Sequence, residues 1–333
     1  MHTASNHQRG FTLIELLVVI AIVSTLIALQ VPAVQRVRAA AAATQCQNNL
    51  KQIALGTIHF HDAFGSYPPA RIVERPTGED PSFLKSGGEH PTWLVRILPF
   101  IEQEAAYRQW DCSQPFQDHP IVLRDHVVAT YLCPSRRDLA DATCPSALGG
   151  AMKLPCGCTY QAKPVYGGAT GDYAGNHGDL SPGSSGLPTD FQWGGNGTGV
   201  IISSRGFQIA NEPIRWYDKV RLAHVTDGAS NTFLAGEMHV PMGKINQSPD
   251  NGPIYDGSRF YHMSRVGGPG VPLAQGPEDN VLGMGLFAFG SWHLGICHFA
   301  FADGHVQPVR NQISTTMLER LCHRSDGQPV ELP

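Results

Sequence analysis

Glu15 is the only charged side chain in an otherwise apolar run over residues 11–34, and it follows directly on the Arg9-Gly10-Phe11 step. A carboxylate at the centre of a membrane helix costs about 2.5 to 3.5 kcal/mol on insertion scales, less toward an end, so it calls for a cation to pair with. A second group with chemical potential stands near the other end of the chain. In "GSWHLGICHFAFADGHV", His293, His298, Asp303 and His305 crowd into one short stretch, and imidazoles with a carboxylate can bind zinc or a related transition metal. A third is "DGASNT", whose Asp227 and Asn231 offer oxygens of the kind calcium takes. The fourth is the set of eight cysteines, of which Cys133, Cys144, Cys156 and Cys158 lie closest together.

Each group has a plainer explanation. Asp303-Gly304 is a strong two-residue hairpin signal, and the histidine spacing lacks the tight ligand pattern of zinc sites. The favoured reading is therefore a turn, with His293 as a hydrogen-bonding side chain beside it, and no metal ligand is assigned. The segment 227–232 reads as a turn held by side-chain-to-backbone bonds. The four clustered cysteines are candidates for at least one disulfide if the domain lies outside the cytoplasm, with the pairing left open. A zinc knuckle ranks below that, because Cys156 and Cys158 form C-x-C rather than C-x2-C. Cys46 and Cys297 fall on apolar faces and read as buried thiols. No G-x-S-x-G elbow, H-E-x-x-H helix or lysine-bearing phosphate loop occurs, so no catalytic residue and no cofactor is assigned.

The elements that carry these residues follow from periodicity. The run 11–34 is long enough to cross a bilayer as a helix. It exceeds the usual signal-peptide apolar region, and Arg36 and Arg38 separate it from the alanines at 39–43. Beyond Pro32, Cys46, Leu50, Ile53, Thr57, Phe60 and Phe64 recur at helical spacing and draw one apolar stripe, with Asn48, Gln52 and His59 on the other face. A continuous helix over 11–64 would be about 80 Å long. Residues 92–111 read as a helix interrupted near Pro99, residues 119–128 as another and 314–323 as a closing helix. Short apolar runs between glycines at 199–202, 220–225, 232–235 and 296–309 read as antiparallel strands. About the Asp303-Gly304 turn, Cys297, Phe299, Phe301 and Val306 should share one face, and His298, Ala300, Ala302, His305 and Gln307 the other.

The N-terminal residues resemble the prepilin cleavage and methylation motif of type IV pilins and type II secretion pseudopilins. Gly10, Phe11 and Glu15 match it position by position, and Pro32 falls where many pilins carry a kinking proline. The resemblance implies cleavage after Gly10 by a membrane prepilin peptidase, N-methylation of Phe11, and an assembly role for Glu15 paired with the new amine. The globular part resembles a large bacterial pilin-like family of unknown function, sometimes labelled solute-binding-protein-like. "CQNNLKQIALGTIHFHDAFGSYPP", "WLVRILPFIEQEAAY", "YLCPS", "VTDGASNTFLAGE" and an H-x9-DG motif at His293, Asp303 and Gly304 carry that likeness. His305, where a serine is usual, and a cysteine-rich insert depart from it.

Composition fits this reading. A chain of 333 residues, 42% hydrophobic with net charge -4, can bury a core and shows no basic stripe for nucleic acid. The expectation is an α+β pilin-like protein comprising a leader at 1–10, a membrane and assembly helix at 11–34, its soluble continuation at 35–66, and an extracytoplasmic domain at 67–333. Its expected partners are the prepilin peptidase/methylase, the membrane and other pilin-like subunits, and its role structural. The other reading is an anchored solute- or glycan-binding module using Trp193 and Trp216. Orientation rests on the motif, because Arg9 alone precedes the run while Arg36, Arg38 and Lys51 follow it.

Overall fold

The structure, a computed structural model, describes residues 13–74, 90–148, 151–153, 159–161, 164–180, 197–207, 214–328 and 330. It divides into two compact units, Met1–Thr44 and Gln45–Pro333.

In the first unit the apolar run is helical from Leu13 as the first part of helix α1, Leu13–Phe64. An 18-residue window of α1 has a mean hydropathy of 2.5 with 0% of it buried, long and apolar enough to cross a membrane. The few hydroxyls in this stretch are satisfied within the helix. Ser24 Oγ donates to the Ala21 carbonyl and Thr25 Oγ1 to that of Ile22, which removes the cost of exposing them to an apolar medium.

In the second unit, residues 45–64 of α1 bury the stripe of Cys46, Leu50, Ile53, Thr57 and Phe60. Phe64 is instead 57% exposed at the end of the helix, its ring tilted against that of Phe60 with centroids 4.5 Å apart. Gly56 permits close approach, since a Cβ there would stand 2.6 Å from Ile101 Cγ2. Gly65, at φ +70°, ends the helix by donating its N–H to the His61 carbonyl. The next helical turns are short: Trp93–Arg96, the 3-10 turn Leu98–Ile101 with Pro99 inside it, Glu104–Tyr107 and Ile121–Arg124.

In chain order the strands are β1 (Ile72–Glu74), β2 (Thr143–Cys144), β3 (Ala151–Lys153), β4 (Thr159–Gln161), β5 (Gly168–Ala169), β6 (Tyr173–Gly178), β7 (Ser204–Phe207), β8 (Arg215–Trp216), β9 (Phe233–Glu237), β10 (Ser264–Val266), β11 (Ile296–Phe301) and β12 (Val306–Arg310). Five of them form the central sheet in the order β10-β6-β9-β11-β12. It is mixed rather than wholly antiparallel, because β10 joins β6 in parallel while the other pairs are antiparallel. Smaller sheets pair β1-β7-β8, β2-β5 and β3-β4.

Both faces of the central sheet are core. Tyr173, Ala235 and Ala300 join the cluster that includes Cys46, Leu50 and Ile53, whereas Phe233, Phe299, Phe301 and Cys297 join Leu318, Leu321 and Cys322 of the helix Thr315–Cys322. That helix starts on Ser314, whose side chain accepts from the Met317 N–H.

The hairpin register differs from the expected one. Gly304 N–H donates to the Phe301 carbonyl, Phe301 N–H donates to that of His305, and Gly304 sits at φ +87°, so three residues rather than two make the loop. The added residue flips the parity of β12. Ala300 pairs with Val306 and Phe299 with Gln307, which places Val306 on the Ala300 face and not with Phe299. Residues 199–202 and 220–225 are not strands either. The first lies as a loop against β6, with Gly199 and Ile201 N–H groups bonded to the His177 and Asn176 carbonyls, and the second contains the 3-10 turn Leu222–His224.

For three of the buried histidines of this unit, His177, His239 and His262, the environment disfavours the charged ring. Burial, with Arg71 and Arg324 adding to it, pushes His177 down to about 3. Burial, with Arg136 and Arg265, takes His239 down to about 4. Burial, with Arg259 and Arg265, holds His262 well below the ordinary value. An unfolding chain takes up protons at these rings as pH falls through about 6.5, while the folded chain refuses them. Stability is therefore lost on acidification, at up to about 1.4 kcal/mol per pH unit for each ring. The melting temperature of the full chain in detergent should fall from about pH 6.5 to about pH 5, and His262→Gln should reduce that slope by about one proton. A flat profile over this range would contradict the assignment.

Candidate functional site

Glu237 is the last residue of β9 and is completely buried. Since β11 pairs with β9 through Phe299 and Gly236, the next step of the ladder sets His298 opposite Glu237. The His298 backbone N–H donates to Glu237 Oε2 at 2.7 Å and its Nδ1 meets the same oxygen at 2.9 Å, which fixes Nδ1 as the protonated nitrogen. Glu237 Oε1 accepts no hydrogen bond among the described residues, and faces His293 Nε2 at 3.3 Å as an ion pair. His293, in the loop before β11, is 8% exposed and stacks edge-on to His298 with ring centroids 5.0 Å apart.

Two sulfurs complete the cluster. Cys133 follows the 3-10 turn Ala129–Tyr131, and its Sγ lies 3.7 Å from His293 Nε2. Cys46, from the buried stripe of α1, brings its Sγ to 2.9 Å from that of Cys133. This is about 0.9 Å longer than a disulfide bond. Cys46, Cys133, Glu237 and His293 are all buried, and their ligand atoms lie within 4.8 Å of one another, a set that could hold a metal ion.

The segment after Cys133 is held by a second buried carboxylate. Asp172 Oδ2 accepts the Cys133 N–H at 2.8 Å, and Oδ1 pairs with Arg136 Nη1 at 3.3 Å and with Arg137 Nη2. Arg137 Nη1 also donates to Thr170, Asn246 and Asn251, and Arg136 Nη2 to the Gly290 carbonyl at 2.8 Å.

The charges follow from these contacts. Burial would raise the Glu237 carboxyl, but the facing His293, at 3.3 Å, and the hydrogen-bonded His298 outweigh it and hold the group well below the usual carboxylate range. Burial would lower His293, yet Cys133 and Glu237 push it up to about 9. Cys133 is pulled down to about 6, first by the Cys46 S–H, then by His293 and Arg136, against the effect of burial. Cys46, donating that bond and buried, is pushed up. The cluster thus holds a thiolate, a thiol, a carboxylate and an imidazolium.

The arrangement does not resemble a nucleophile relay. In such a relay the base uses one ring nitrogen for the nucleophile and the other for the carboxylate, whereas Cys133 and Glu237 both face Nε2 of His293. Cys133 is also 0% exposed, so its sulfur does not open onto the surface.

Of the residues singled out from sequence, His293 and Cys133 enter this cluster. Asp303 and Gly304 form the hairpin loop, where Asp303 Oδ1 accepts the His305 N–H at 3.0 Å and faces its Nδ1 at 2.7 Å. Lys51 Nζ donates to the Gly304 carbonyl at 2.7 Å, which docks the loop on residues 45–64 of α1. Asp227 and Asn231 make a turn: Asn231 N–H donates to the Gly228 carbonyl, and the Asp227 carboxylate receives the Asp326 and Gly327 N–H groups. Asp227 also stands with His323 and Asp326 in a second, partly exposed group of possible ligands. Cys144 donates to the Pro145 carbonyl. Trp216 is half-buried, with Arg96 and Lys219 over its ring at 5.4 and 5.3 Å. Gly10, Phe11, Cys156, Cys158 and Trp193 lie outside the described residues.

Cys46 and Glu237 were not legible as site residues in the sequence. Glu237 did carry one signal, as a lone acid closing the apolar strand "TFLAGE".

Comparison with known proteins places the chain. No curated protein and no solved structure matches it. A model described as "Prokaryotic N-terminal methylation motif" matches residues 5–29, in keeping with a type IV pilin-like N-terminus. A second model, covering well over half of the chain at residues 35–315, spans the sheet, the hairpin and the buried cluster, and by it the chain belongs to the family described as "Protein of unknown function (DUF1559)".

Proposed function

We propose that the protein is a non-enzymatic, pilin-like subunit anchored by α1, with its globular unit on the extracytoplasmic side of the membrane. A prepilin peptidase cuts after Gly10 and Phe11 is N-methylated. The observation that carries this reading is the pairing of the methylation motif at residues 5–29 with an apolar helix that buries none of its hydropathic window. An apolar surface of that length needs either lipid or the matching helices of other subunits to cover it. Glu15 then serves assembly, its carboxylate neutralised in low dielectric by the amine that cleavage creates at Phe11. The inaccessible Cys133 sulfur supports a structural role over catalysis by the buried cluster.

Protein isolated from native membranes should have the intact mass of a chain beginning at Phe11 and carrying one extra methyl group. Retention of residues 1–10 would sink the processing step. Glu15→Ala should lower incorporation into a pelletable filament or membrane complex by at least about tenfold, the loss of roughly 1.4 kcal/mol or more. The melting transition of the globular unit should stay unchanged. Undiminished incorporation would rule out the assembly role of Glu15.

A further inference from the structure

We propose that Cys46, Cys133, Glu237 and His293 form a buried four-ligand site for a zinc-class divalent metal ion, which fastens residues 45–64 of α1 to the central sheet. The site is separate from the processing motif and goes beyond the role proposed for the subunit.

The donor set comes first. Two sulfurs, one imidazole nitrogen and one carboxylate oxygen are the ligand types that zinc takes in closed tetrahedral sites. All four residues are buried and their ligand atoms lie within 4.8 Å of one another. Ligand bonds of about 2.3 Å to sulfur and about 2.0 to 2.1 Å to nitrogen and oxygen give tetrahedral edges of about 3.6 Å for S–N and about 3.4 Å for N–O. The observed edges are 3.7 Å from Cys133 Sγ to His293 Nε2 and 3.3 Å from His293 Nε2 to Glu237 Oε1. The sulfurs, at 2.9 Å, must open by about 0.9 Å to admit the ion.

The carboxylate supplies an independent observation. Glu237 is wholly buried, and its Oε1 accepts no hydrogen bond among the described residues while pointing into the cluster. Its Oε2 is already held by the backbone N–H and Nδ1 of His298, which orients Oε1 as such supporting bonds orient metal ligands. Asp172 likewise holds the backbone of Cys133 through its N–H.

Binding balances in protons and charge. The ion displaces the Cys46 thiol proton and the Nε2 proton of His293, and both leave to solvent. Two thiolates and a carboxylate then face a dication, and the buried Arg136 guanidinium, which interacts with Cys133 and Glu237, supplies the remaining positive charge.

The test uses the full chain in detergent, purified under reducing conditions, with Zn2+ and Co2+ as probes. The expected result is about one ion per chain, with Co2+ giving the near-ultraviolet thiolate-to-metal charge-transfer absorption that only sulfur ligation produces. The paired substitution Cys46→Ser and Cys133→Ser should abolish that band. His298→Gln, which disturbs only the support of Glu237, should weaken the affinity about tenfold to about hundredfold and keep the band. Two results would overturn the proposal. One is protein from native membranes that is lighter by two hydrogens and metal-free, with Cys46 and Cys133 joined in one peptide: the pair is then a disulfide. The other is a reduced chain whose two thiols react freely and which gives no Co2+ band.

Discussion

A carboxylate buried from solvent is the constraint around which the globular unit is arranged. Glu237 lies at the end of a central strand with no exposed surface. An ion in that position costs several kcal/mol unless charge and hydrogen bonds meet it there, and otherwise it takes up a proton. The chain meets it with His298 across the ladder, His293 from the preceding loop and, electrostatically, the Arg136 guanidinium. Each of these fixes an element. Sliding β11 by one residue against β9 would bring the phenyl ring of Phe299 or the thiol of Cys297 to the carboxylate and turn His298 to the opposite core. The register of the sheet and the ionisation of Glu237 are therefore one condition.

Asp172 applies the same logic one step away. Its carboxylate is shared by Arg136, Arg137 and the Cys133 N–H, all buried, and Arg137 carries the link onward to Asn246 and Asn251. Buried ion pairs of this kind add little net stability over apolar packing, yet removing one partner is costly, so they select an arrangement. Here they select the path of residues 133–137, a loop that has no ladder to guide it. Arg136 is bonded to Asp172 and acts electrostatically on Glu237, which couples the position of that loop to the end of β9.

What the sequence revealed depended on how far apart the interacting residues lie. The stripe from Cys46 to Phe60 is local and periodic, so the buried face of α1 could be read directly, and Asp303-Gly304 announced its hairpin. The loop length was not legible, because a two-residue and a three-residue connection begin with the same turn residues, and the difference moved Val306 to the other face of the sheet. Strand β6 was hidden for another reason. Its residues "YAGNHG" are small or polar, chosen for close packing: a Cβ at Gly175 would stand 2.6 Å from Ile201. The apolar run at 199–202 has the pattern of a strand, yet Val200 to Ile202 are buried as a covering loop. The buried cluster draws on positions 46, 133, 237 and 293, and no spacing rule connects residues so distant. Glu15 stands out because its apolar neighbours are contiguous in sequence; the buried surroundings of Glu237 are supplied by folding.

That folding also explains why thiols accompany the carboxylate. In the absence of a metal, the Cys133 thiolate and Glu237 carry two negative charges, and the protonated His293 and Arg136 carry two positive ones. With a dication in the centre, Cys46 and His293 have each given up a proton, and the sum over the same residues is unchanged. A low-dielectric interior strongly penalises net charge, so a site that is neutral in both forms can exchange two protons for one ion without rearranging the residues around it. A thiol whose ordinary pKa is about 8.5, raised by its bond to Cys133 and by burial, keeps its proton until a metal displaces it.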